Sequence, residues 1–149
     1  MTKKIGAVFV LISMVLAPAF SKETTWLTNF EKAKKLARKS GKPILMNFSG
    51  SDWCGYCIRL EKEVFSKWQF KNFAKDNLIL LTLDFPRSKK QKANVKAQNK
   101  RLVKKYRIKG FPTVLLVDAK GNVILRTGYK TGGTNKYIEH LKAAISKAG

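Results

Sequence analysis

Cys54 and Cys57 most constrain what this chain can become. They are its only cysteines, and they sit two residues apart in Trp53-Cys54-Gly55-Tyr56-Cys57. The run before them, Ile44-Leu45-Met46-Asn47-Phe48, reads as a buried strand, and apolar residues after Cys57 recur at helical spacing through Leu60 and Val64. The pattern predicts a strand that turns into a helix with the cysteines at its start. A helix start leaves amide N–H groups unpaired and carries the positive end of the macrodipole, so a sulfur there is favoured as thiolate. Cys54 is then the expected nucleophile. Cys57, one turn further on, is the thiol that resolves a mixed disulfide.

The same spacing has other uses, and the rest of the chain weighs against them. A zinc site takes four ligands, whereas two cysteines and the distant His140 are offered. Covalent haem takes a histidine after the second cysteine, where Ile58 stands. A purely structural disulfide stays open, although closing so short a loop gains little entropy. A Cu(I) carrier holding the ion between two thiolates is a further alternative, with no methionine or histidine beside the pair in sequence. The expectation is no resident metal and no cofactor.

At the amino terminus, a short basic start with Lys3 and Lys4 precedes an apolar run from Ile5 to Leu16, and small residues follow around Ala17 to Ser21. This is the pattern of a secretory signal peptide over residues 1–21, since a membrane span takes about 20 apolar residues. Residues 22–149 then form one domain, exported to the periplasm or an equivalent compartment and soluble after cleavage. One adjacent cysteine pair in an oxidising compartment suits a redox tool better than a disulfide scaffold.

Net charge is +22. No acid occurs between Asp84 and Asp118, while Arg87, Lys89, Lys90, Lys92, Lys96, Lys100, Arg101, Lys104, Lys105, Arg107 and Lys109 accumulate. Such a field favours an acidic protein or an anionic membrane surface, against the plainer reading of a solvated helix face. Nucleic acid is disfavoured because aromatics do not interleave the run and export removes the protein from that compartment.

Along the chain, Thr28-Asn29-Phe30-Glu31 has capping-box spacing, and Leu27, Phe30, Ala33 and Ala37 mark the apolar face of a helix ending at Gly41. The cysteine helix is expected to break near Phe65, with Ser66 opening a new one. Leu78 to Leu83 reads as a strand buried on both faces. A basic helix over about Ala93 to Tyr106 follows, with Val95, Leu102, Val103 and Tyr106 inward. Thr113 to Val117 and Val123 to Arg126 form a hairpin, and Tyr137, Leu141, Ala144 and Ile145 give the last helix its stripe. Trp26, Trp68, Phe70 and Phe73 are expected in the core and His140 at the surface; Tyr129 and Tyr137 receive no role. The element order gives an α/β fold with a mixed central sheet flanked by helices.

Trp53-Cys54-Gly55-Tyr56-Cys57 at a strand-to-helix junction, Phe111-Pro112-Thr113 before the hairpin, and Gly121 and Gly128 together resemble the thioredoxin superfamily over essentially the whole chain from about Thr25. More narrowly, Gly50 to Cys54, Leu60 to Phe65 and Asp84-Phe85-Pro86 resemble exported thioredoxin-like thiol:disulfide reductases, such as the chlamydial periplasmic disulfide reductase and the C-terminal domain of the bacterial transmembrane thiol reductase. The resemblance implies a thioredoxin fold and a redox-active disulfide between Cys54 and Cys57. It also implies a cis bond before Pro112, with Phe111 backbone pairing to an extended substrate and Trp53 in the docking surface. An ordinary strand-start proline is the plainer alternative for Pro112.

One departure matters: thioredoxins keep a buried aspartate where Asn47 falls here, and Asn47 cannot accept a proton. Glu61 is the substitute the resemblance suggests, the alternative being a surface glutamate among lysines. Tyr56 replaces the histidine that oxidising and isomerising relatives often place there, which favours a protein-disulfide reductase over a disulfide oxidase or isomerase. Its partners would be protein disulfides and a membrane-embedded thiol reductase that supplies electrons.

Overall fold

In the computed structural model, which describes residues 24–149, the apolar run before the cysteines forms β1, Ile44–Ser49, with every residue buried. The expected signal segment, residues 1–21, lies outside the described residues. Helix α1, Phe30–Ser40, leads into β1 and ends at Gly41, whose left-handed φ of 71° lets its N–H close back onto Ala37. Then come α2, Gly55–Leu60; α3, Trp68–Asn77; β2, Ile79–Asp84; α4, Ala93–Lys105; β3, Thr113–Val117; β4, Val123–Thr127; and α5, Gly133–Ala148.

The four strands stand in the order β2-β1-β3-β4, with β1 parallel to β2 and antiparallel to β3, and β3 antiparallel to β4. Side chains alternate across a strand, and two cores result. Leu45, Leu80, Val114 and Leu116 meet Leu60, Val64, Phe65, Phe70, Tyr137 and Leu141 of the α2, α3 and α5 side. Ile44, Met46, Phe48, Leu81, Leu83, Leu115 and Val117 meet Phe30, Ala33, Ala37, Leu102 and Tyr106 of the α1 and α4 side. The mixed sheet between helices is the thioredoxin fold expected from the sequence, and β2 is indeed buried towards both faces.

Local details differ from the expectation. Asn29, not Thr28, caps α1: its Oδ1 accepts the Lys32 N–H at 2.8 Å. Leu27 is not on the helix face but bridges the outer edge of β2, its N–H reaching Leu80 O and its carbonyl accepting from Thr82, both at 2.9 Å. That single residue covers backbone groups an edge strand would otherwise expose.

The break after α2 is a π-turn over Glu61–Phe65, closed by the Ser66 N–H on Glu61 O at 2.9 Å. Ser66 does not cap α3. Its hydroxyl donates to Lys62 O, and Lys67 occupies the cap position without a side-chain bond. Trp68 is 70% exposed rather than core, because the apolar side of α3 is supplied by Phe70 and Ala74. His140 is half-buried, with Nε2 3.0 Å from Thr127 Oγ1, and burial pushes its pKa below the usual imidazole value. Tyr137 is a core side chain whose hydroxyl donates to Gly128 O at 3.1 Å, and burial drives its phenol pKa far up.

Candidate active site

The carboxyl end of β1 delivers the chain into Gly50-Ser51-Asp52-Trp53, and α2 begins immediately after Cys54. Cys54 is the cap residue of that helix, in an extended conformation, and its Sγ accepts the Cys57 N–H at 3.3 Å. The two cysteines form a disulfide, with Cα atoms 5.2 Å apart. Gly50 holds both residues: its carbonyl accepts the Cys54 N–H at 2.9 Å, and its own N–H points at Cys57 Sγ at 3.5 Å. Both cysteines are buried residues, Cys54 at 8% exposed and Cys57 at 4%, and the first is the more accessible. Tyr56 and Ile58, exposed at 59% and 48%, stand on the same helix start.

Two carboxylates fasten the loop before the pair. Asp84, at the end of β2, accepts from Ser51 N–H and hydroxyl at 2.9 and 2.6 Å. Asp52 accepts the backbone N–H groups of Arg87 and Ser88 at 3.0 and 2.7 Å, and those bonds hold its pKa below the usual carboxylate value. Loops more than 30 residues apart are thereby cross-linked beside the redox pair.

On one side of the disulfide lies an aromatic platform. Trp53 donates from Nε1 to Phe85 O at 2.7 Å, meets Phe111 edge to face at 5.9 Å between ring centroids, and carries the Arg87 guanidinium 3.9 Å above its ring. Phe85 in turn packs on Phe111 at 5.1 Å. The Phe111–Pro112 bond is cis. Gly128 lies against this segment so closely that a Cβ there would stand 2.9 Å from the Pro112 carbonyl oxygen. On the other flank, Tyr56 and Tyr129 lie 5.4 Å apart with Arg59 over both rings, and the Tyr129 hydroxyl donates to Glu63 at 2.7 Å. That bond, with Arg59, keeps the Glu63 carboxyl below its ordinary value.

Behind Cys57 is a cleft of about 490 Å³ lined by Asn47, Ser49, Cys57, Glu61, Lys62 and Thr82, among others. Asn47 Oδ1 is buried with no hydrogen-bond partner among the described residues. Glu61 is an exposed residue overall, yet its carboxyl is desolvated enough to be pushed above the usual glutamate range, with Lys71 pulling weakly the other way. Among the described residues no group of three or more histidines, cysteines or acids is placed to hold a metal, and no helix is long and apolar enough to cross a membrane.

Of the residues singled out from the sequence, Cys54 and Cys57 form the disulfide, Trp53 packs on Phe111, which precedes the cis Pro112, and Glu61 lines the cleft that Cys57 also lines. Phe85, Arg87, Asp52, Tyr129 and Gly50 join them without a role foreseen. Gly50 and Asp52 carried a signal within Gly50 to Cys54, Phe85 within Asp84-Phe85-Pro86 and Arg87 within the basic run, while Tyr129 carried none.

A redox-active cysteine pair capping a helix beside a cis-proline, on this sheet, defines a thioredoxin-like oxidoreductase. The chain belongs to the thioredoxin-like domain family, whose profile matches residues 30–144. It is 32% identical over 117 residues to the disulfide bond reductase DsbH of Chlamydia pneumoniae, a match spanning 78% of this chain and 70% of that protein. It is also 33% identical over 108 residues to the thiol:disulfide interchange protein DsbD of Salmonella typhi, covering 70% of this chain and 17% of DsbD. Among solved structures, a DsbH oxidoreductase superposes with a TM-score of 0.80 at 27% identity, covering 98% of this chain and 95% of that one. A thioredoxin from Thermus thermophilus, at 16% identity and a TM-score of 0.62 over 85% and 91% of the two chains, shares the fold.

Proposed function

We propose that the protein is an exported reductant of protein disulfides, with residues 1–21 as a cleavable signal and residues 22–149 as the mature domain. The observation that carries this reading is the inequality of the two cysteines: Cys54 caps the helix start directly after Trp53 and is the more exposed, while Cys57 lines the cleft that holds Asn47 and Glu61. In the reduced protein the Cys54 thiolate attacks a substrate disulfide, forming a mixed disulfide and releasing the first substrate sulfur as thiolate. Cys57 gives up its proton and attacks Cys54 Sγ, which releases the second substrate thiol. Two electrons pass to the substrate, and the protein is left as the Cys54–Cys57 disulfide.

Glu61 accepts the Cys57 proton across the cleft, which is lined in part by Asn47, Ser49 and Thr82 and is wide enough to take water. A carboxyl with a raised pKa suits proton exchange near neutral pH. Phe111 and Pro112 present backbone to an extended substrate segment, and Trp53 forms one wall of its seat. The reducing direction is supported by the uncharged Tyr56 side chain between the cysteines, in place of a histidine, and by the similarity to the disulfide bond reductase DsbH. The similarity to DsbD supports a membrane thiol reductase as the source of electrons.

A measured reduction potential near thioredoxin's roughly −270 mV supports the reductase, and one near the strong oxidases' value of about −120 mV overturns it. A Cys57→Ala variant should trap substrates as mixed disulfides on Cys54. Amino-terminal sequencing of the exported protein decides the cleavage.

A further inference from the structure

Beside the redox site lies a cleft of about 440 Å³ whose lining includes Phe85, Arg87, Lys89, Lys90, Lys96 and Lys100. All five cations are exposed. Among the described residues none of them has a salt-bridge partner, and the chain holds no acid from Phe85 to Val117 to supply one. The neighbouring carboxylates are already engaged: Asp52 with the backbone N–H groups of Arg87 and Ser88, and Asp84 with Ser51. Lys89 reaches the Ser51 hydroxyl at 3.5 Å, and its charge acts on Asp52 without a salt bridge.

The positive charge here exceeds what Asp52 and Asp84 offset, and it is continuous with the nucleophile's surroundings. The Phe85 carbonyl holds the Trp53 indole, the Arg87 guanidinium covers the same ring, and Trp53 directly precedes Cys54. The cleft is therefore joined to the nucleophile through Trp53, whose ring is contacted by two of the cleft's lining residues, Phe85 and Arg87. We propose that the cleft is a subsite for acidic residues flanking the disulfide of a polypeptide substrate, a proposal that rests on the dithiol-exchange reading above. A concave pocket that shares Phe85 and Arg87 with the seat of Trp53 fits a peptide segment better than a flat lipid surface, and complementary charge there sets both partner choice and encounter rate.

The test pairs two measurements. A cysteine-free Glu-rich peptide and its Gln counterpart are titrated onto the oxidised protein by tryptophan fluorescence, and two peptide disulfides flanked by Glu or Gln are compared as substrates of the reduced protein. The Glu forms should show a roughly tenfold lower Kd and KM at low salt, as a few exposed ion pairs acting together would give. The ratio should fall to about one at 1 M salt, where the screening length is about 3 Å. It should also vanish in the triple variant Lys90→Glu, Lys96→Glu, Lys100→Glu, with the corresponding Gln variant intermediate. Equal binding of the two peptides, or a ratio that survives the charge reversal, overturns the subsite. So does binding to phosphatidylglycerol vesicles that the variant loses while the peptides are not distinguished. Failure of the redox reading appears instead as no turnover of either disulfide peptide, and the cysteine-free titration still decides the subsite.

Discussion

The indole of Trp53 rests on the bare α-carbon of Gly50: a Cβ placed on Gly50 would stand 2.4 Å from the ring. Glycine is required there for space, since Gly50 is not among the residues with positive φ. The same residue bonds to both cysteines through its backbone, so the seat of the indole and the geometry of the disulfide are one construction.

Gly50→Ala should therefore push Trp53 off the platform. Overpacking of this kind costs about 1–3 kcal/mol. The expected result is a changed tryptophan emission, a several-fold rise in KM for a peptide disulfide and a lowered midpoint in urea. An unchanged emission spectrum with unchanged KM would show that the platform does not depend on this contact.

Glu61 gives a pH signature. Its carboxyl pKa is raised in the folded protein, chiefly by burial, so the folded state binds a proton more tightly than the unfolded chain does. That contribution is complete below the ordinary glutamate range and is lost as pH rises through the raised value. Glu61→Gln should be at least as stable as the parent above that window, and the difference should shrink as the solution is acidified. If Glu61 also takes the Cys57 proton, the variant releases substrate from the mixed disulfide more slowly near neutral pH, on the order of the 10²-fold or more that general bases supply. Urea titrations from pH 3 to 8 and single-turnover exchange rates measure the two effects separately.

Phe65 and Trp68 should behave in opposite ways although both are large and close in sequence. Phe65 is fully buried between Trp26, Phe70 and Tyr137, with ring centroids at 5.2, 4.8 and 5.9 Å. Phe65→Ala should cost about 3–5 kcal/mol. Trp68→Ala at its exposed position should stay within about 0.5 kcal/mol. Denaturation midpoints at constant m-value report both.

The line between what could be read from the chain and what could not falls at sequence distance. The strand before the cysteines, the helix after them, the hairpin and the apolar stripe of α5 all rest on local periodicity, and each formed where expected. Errors arose where neighbours competed for one role. Thr28 and Asn29 both offer a capping oxygen, and the chain's path into the β2 bridge at Leu27 leaves the position to Asn29. Ser66 offers a cap but closes the π-turn over Glu61–Phe65 instead, and Trp68 stays outside because Phe70 and Ala74 supply the apolar side of α3, neither of which a local propensity announces.

By itself the sequence determined the redox pair, its position at a helix start, the alternation that makes a mixed sheet, and the acid-free basic run. Those are properties of spacing and composition, and they survive any arrangement of the remaining chain. Only the tertiary structure decided that Arg87 lies on Trp53, that Asp52 and Asp84 bind loops from opposite sides of β2, and that Asn47, Cys57 and Glu61 share a cleft. Such contacts join residues brought together by the packing of helices on a twisted sheet, and their energies depend on distances that no local pattern encodes.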